Sequence, residues 1–130
     1  MLVNHTPHVV VATSDLARAQ QFYEGVLGFS GGVRMPGGLS YAVGDASVLV
    51  YETDVAGTNK ATLFGFELDA ADFDAEVAAL RDAGVQFATF EMEGLTWDNG
   101  VAHMGEARAA WFSDPDGNAI SMSSGLRDLG

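Results

Sequence analysis

Two segments of this chain repeat one pattern: an apolar run, a cluster of capping oxygens, a helical apolar stripe, then glycine. In the first, His8 to Ala12 carries the β-branched Val9, Val10 and Val11 and reads as a buried strand. Thr13, Ser14 and Asp15 can cap a helix, and Leu16, Ala19, Phe22, Tyr23, Val26 and Leu27 fall on one stripe. Gly28 stands where a helix end favours a left-handed residue. In the second, Thr62 to Leu68 is the strand and the run Asp69 to Asp72 supplies caps. Phe73, Val77 and Leu80 form its stripe, and Gly84 ends it.

The stretches after the two helices are also alike. Ser30 to Met35, Leu39 to Val43 and Ser47 to Glu52 are strand candidates after the first, separated by Pro36-Gly37-Gly38 and Gly44-Asp45. Gln86 to Met92, Ala107 to Phe112 and Asn118 to Ser123 come after the second, with 94–100 read as a loop. Thr53 to Lys60 is small and polar enough to be a linker. The pattern predicts one α+β domain over 1–130, made of two βαβββ modules at about 5–56 and about 60–126. One such module leaves a sheet face uncovered, so burial favours the pair.

Alternation assigns the faces. In Asp114-Pro115-Asp116-Gly117, proline presets the second turn position and glycine takes the positive φ at the last. Asp114 then pairs with Asn118, Trp111 with Ser121 and Phe112 with Ile120. Phe112, Ile120 and Met122 share the helix side with Phe64, Phe66 and Leu68. The opposite face collects His8, Gly65, Glu67, Trp111, Ser121 and Ser123. Apolar walls with a few polar groups are what a small-molecule site requires.

Composition excludes several partners. Eighteen acidic residues against six basic ones give a net charge of −12, and the basic residues are scattered. That is no footprint for nucleic acid or for an anionic membrane surface. The chain has no cysteine, hence no disulfide framework and no thiolate chemistry. No apolar run is long enough to cross a membrane, and MLVNHTPH carries no secretory pattern, so the cytoplasm is the expected location.

His8 with Asp15-Leu16, Phe22-Tyr23, Val26-Leu27-Gly28-Phe29 and the run Phe112-Ser113-Asp114-Pro115-Asp116-Gly117-Asn118 give the chain a family likeness. It resembles the vicinal oxygen chelate superfamily, the group of glyoxalase I, bleomycin-resistance proteins and extradiol dioxygenases. The resemblance implies a U-shaped mixed sheet with helices on its outer face, a ligand on the concave side, and a homodimer. Metal-using members place ligands on the first, fourth, fifth and last strands. His8 matches the first position, but the other matches include Leu63 and Ser121, and Tyr51 or Glu52 occupies the fourth-strand place. Too few ligands remain for a standard divalent site, which usually takes three from the protein. No cofactor is expected; if a divalent metal binds, His8 and Glu52 are its candidate ligands. His5, His103, Glu67 and Glu106 could complete an irregular set.

Two functions are expected on this basis. The first is a metal-free binding protein holding a small molecule with His8, Tyr51, Gly65, Glu67, Trp111, Ser121 and Ser123. The second is a lyase, isomerase or dioxygenase using His8 and Glu67 for acid–base work or metal binding. Trp97 can stack on a ligand or anchor a loop, Glu67 can pair with Arg108, and the glycines of 94–105 would let that segment close as a lid.

Overall fold

The computed structural model describes residues 1–4, 8–58 and 61–125. The chain divides into two compact units, one of Met1–Lys60 with Asp114–Asn118, the other of Ala61–Ser113 with Ala119–Gly130.

The first unit holds β1 (Val9–Thr13), α1 (Leu16–Gln20), β2 (Val33–Met35), β3 (Gly38–Val43) and β4 (Ala46–Glu52). Its sheet runs β1-β4-β3-β2, with β1 parallel to β4 and the other pairs antiparallel. Asp15 caps α1 by accepting the Arg18 amide at 3.1 Å. The helix then widens to a π-helix over Gln21–Val26. Gly28 closes it at φ 78°, with the Phe29 amide reaching back to the Tyr23 carbonyl at 2.9 Å. Ala19 and Tyr23 are buried with Val11, Leu39, Tyr41, Val48 and Val50 from the sheet. The expected alternation in β1 holds: Val11 is buried while Val10 is 43% exposed.

The second unit holds β5 (Thr62–Leu68), α2 (Ala70–Asp82), β6 (Thr96–Asp98), β7 (Val101–Met104), β8 (Ala107–Ser113) and β9 (Ala119–Ser124). Its order, β5-β9-β8-β7-β6, repeats that of the first sheet with β6 added at the edge. Asp69 caps α2 through the Asp72 amide, and Gly84 ends it at φ 89°. Phe73, Val77 and Leu80 are buried with Phe112, Ile120 and Met122. Full burial of each large side chain is worth about 1.5–3 kcal/mol, which fixes the helix on this side of the sheet.

The two-module α+β expectation is met, with three local differences. The second strand of the first module is confined to Val33–Met35. The segment Gln86–Met92 makes a single bridge, Ala88 to Trp111, rather than a strand. The stretch read as a loop is instead the β6–β7 hairpin. Asn99 and Gly100 sit at φ 50° and 82°, the two positive values a type I′ turn demands. Among the described residues no helix is long and apolar enough to cross a membrane.

Candidate functional site

Register fixes the open face of the second sheet. Gly65 pairs with Ser121 and Ser121 with Trp111; in the next row Glu67 pairs with Ser123 and Ser123 with Ala109. Paired residues point the same way, so the five site residues predicted for this unit share one face. Trp111 opposite Ser121 and Phe112 opposite Ile120 are the pairs that the turn chemistry predicted. Glu67 accepts the Ser123 hydroxyl at 2.5 Å. A Cβ at Gly65 would run into the Ser121 hydroxyl, so glycine gives that hydroxyl its room.

Small residues beside Trp111 let a second tryptophan approach. Ala102 of β7 pairs with Ala109 of β8 and with Trp97 of β6, placing Trp97 on the same face. The two indoles lie 5.9 Å apart, and Phe90 sits 4.8 Å from Trp111 and 5.3 Å from Trp97 in edge-on geometry. Backbone positions Phe90, because the Ala88 amide bonds the Trp111 carbonyl at 2.7 Å. Beside this triad lies an open cleft of about 400 Å³ lined by Thr89, Phe90, Glu91, Met92, Leu95 and Trp97. Sequence reasoning passed over Phe90, whose place follows from the Ala88–Trp111 bridge; the Asn99-Gly100 hairpin signal could have placed only Trp97.

Other candidates are placed differently. Arg108 does not serve Glu67: it binds Asp74 and the Ala70 carbonyl, and lies over the Phe73 ring at 4.6 Å. His103 pairs with Arg108, on the face opposite Trp97. Glu106 is exposed in the turn before β8, and His5 lies outside the described residues. In the first unit, Tyr51 shares a face with Val10 and Ala12, whereas Glu52 turns to the other side and accepts the Leu16 amide at 2.9 Å. His8 is exposed just ahead of β1. Among the described residues no three His, Asp or Glu side chains converge in a way that could hold a metal ion.

Residues 5–122 match the profile of the Glyoxalase/Bleomycin resistance protein/Dioxygenase superfamily. The chain belongs to this superfamily. Similar solved structures agree on the fold of this superfamily member. A glyoxalase/bleomycin resistance protein/dioxygenase from Alicyclobacillus acidocaldarius is 19% identical, covering 97% of this chain and 95% of its own, with a TM-score of 0.73. The fosfomycin resistance protein FosX from Mesorhizobium loti is 20% identical, covering 96% of each chain, TM-score 0.70. A lactoylglutathione lyase from Agrobacterium tumefaciens is 17% identical, covering 93% of each chain, TM-score 0.67. No curated protein matches the sequence.

The turn at 114–118 has a clear structural job within the first unit. Asp114, 5% exposed, accepts the Tyr23 hydroxyl, the Asn118 side-chain amide, and the backbone amides of Asp116 and Asn118. Burial first, then the Asp114 charge and hydrogen bond, raises the Tyr23 phenol well above its ordinary range. Asp116 in turn takes the hydroxyls of Thr13 and Ser14 at 2.5 Å each, the Ser14 amide and the Arg18 guanidinium. Burial alone pushes the Asp116 carboxyl up, but these donors outweigh it and hold it below the ordinary 3.8. Its stabilisation is therefore complete above pH 3.8 and is lost as pH falls through the lower folded-state value. Asp116→Asn is expected to flatten the acid limb of a stability–pH profile measured by urea unfolding. An unchanged limb would assign the acid sensitivity to other carboxylates.

Proposed function

We propose that this superfamily member is a binding protein that holds a small planar molecule on the open face of its second sheet without a standard divalent-metal site. The observation that carries this reading is the Phe90–Trp97–Trp111 triad standing beside the hydroxyls of Ser121 and Ser123 and the Glu67 carboxylate. Rings supply apolar contact area at low entropic cost, and the polar row supplies orientation. The FosX and lactoylglutathione lyase folds are compatible with ligand chemistry of several kinds, and the donor set here favours the metal-free kind. Leu63 lies at an irregularity in β5 and has no metal-binding atom, and Ser121 offers only a hydroxyl. A homodimer in the cytoplasm is the proposed setting.

The test uses the protein's own fluorophores. Its two tryptophans, Trp97 and Trp111, both belong to the triad. Planar aromatic compounds titrated in the presence of a chelator are expected to quench them with saturation. Quenching that appears only after Zn²⁺, Ni²⁺, Mn²⁺ or Fe²⁺ is added, and is lost in His8→Ala, would replace this reading with the metal-dependent enzyme.

A further inference from the structure

Among the described residues of the second unit, the cationic side chains lie on one side of the sheet. Arg81 and Arg108 are the only Lys or Arg residues between 61 and 125. Arg81 donates to the Asn99 carbonyl and lies 5.5 Å from the Phe87 ring centre. Phe87 in turn packs at 6.2 Å on Phe112, on the helix side. Arg108 is held on that same side by Asp74, the Ala70 carbonyl and Phe73. Both cations are thus committed to the face that α2 covers. Glu91 lines the cleft beside Phe90 and Trp97. Glu67 adds a second carboxylate on the open face, where its row lies next to that of Trp111.

From this arrangement we infer that the site selects planar aromatic cations, such as ring-quaternised or protonated heteroaromatic amines, over neutral and anionic rings of the same shape. The inference rests on the binding reading above and adds the charge of the ligand. Physically, the aromatic rings of Phe90 and Trp97 that line the cleft carry a negative quadrupole on their faces, which attracts a cationic ring stacked on them. Glu91 adds long-range attraction, and a net charge of −12 raises the encounter rate for cations. An anionic ring meets the same groups as repulsion, with neither arginine turned toward it.

Three ring-matched probes separate the possibilities: N-methylacridinium, acridine at mildly alkaline pH where it is neutral, and acridine carboxylate. Each is titrated into the intact chain at low salt, following tryptophan emission corrected for probe absorbance, with calorimetry as a second readout. The expected result is saturable binding of N-methylacridinium about tenfold tighter than acridine and tighter still than the carboxylate. Added salt and Glu91→Gln should both narrow that preference. Equal binding of all three, or a preference for the carboxylate, overturns the cation selectivity and leaves the binding face standing. No saturable quenching by any probe removes the binding face, and the selectivity with it.

Discussion

Asp114→Ala is expected to lower the thermal unfolding midpoint by roughly 10–20 °C, the largest stability loss of any single change in the first unit. The Asp114 carboxylate accepts from four donors, the Tyr23 hydroxyl, the Asn118 side-chain amide and two backbone amides, at 2.8–3.0 Å, and of these the Asn118 side-chain amide also reaches the Ala12 carbonyl at 2.9 Å. Hydrogen bonds to a charged acceptor are worth about 1.5–3 kcal/mol, and a buried donor stranded without one costs about 1–3 kcal/mol. Water can re-satisfy some of the four, so the net loss should be about 3–5 kcal/mol. Tyr23→Phe removes one donor and strands nothing, so it should cost only about 1–2 kcal/mol. Near-UV circular dichroism is the suitable readout, because Tyr23, Tyr41 and Tyr51 all lie in the first unit. Similar losses for the two variants would mean that the tyrosine contact carries the network and the turn amides do not depend on the carboxylate.

The residues of that network show what a sequence can disclose. Asp-Pro-Asp-Gly specifies a turn chemically, and the turn fixes strand register, so Trp111 opposite Ser121 followed without any structure. Helix ends were legible for the same local reason: Asp15, Asp69, Gly28 and Gly84 each satisfy a backbone need within a few residues. Widening to a π-helix at Gln21–Val26 was not legible, because its apolar stripe has the spacing of an ordinary helix. Gln86–Met92 has strand-like residues, but β8 offers it only one bridging position, at Trp111. Phe90 was therefore hidden, since its role depends on where that segment crosses β8. The proposed Glu67–Arg108 pair failed on parity: Glu67 shares a row with Ser123 and Arg108 pairs with Ser124, so the two face opposite ways. The loop reading of 94–100 overlooked Asn99-Gly100, a two-residue hairpin signal that composition alone made look like a loop.

Trp111→Ala carries the corresponding functional prediction. Its indole touches both other rings, so its removal takes the support from the wall that Phe90 and Trp97 give the cleft. Binding of N-methylacridinium is expected to weaken about 10- to 100-fold, the range seen when a central aromatic contact is truncated. The fold has reason to survive, because the Ala88 bond uses the Trp111 backbone carbonyl and alanine preserves the strand register. A stability cost of about 1–3 kcal/mol is expected from the lost ring contacts of this half-buried side chain. Trp111→Phe keeps a ring at the same place and should recover most of the affinity, which separates loss of the wall from loss of structure. Trp97 remains as the fluorophore in both variants, so one assay reads all three proteins. Wild-type affinity in a folded Trp111→Ala protein would remove the ligand from this face and leave the triad as packing alone. Loss in Trp111→Ala with recovery in Trp111→Phe has no such explanation, because the two variants differ only in whether a ring packs against Phe90 and Trp97.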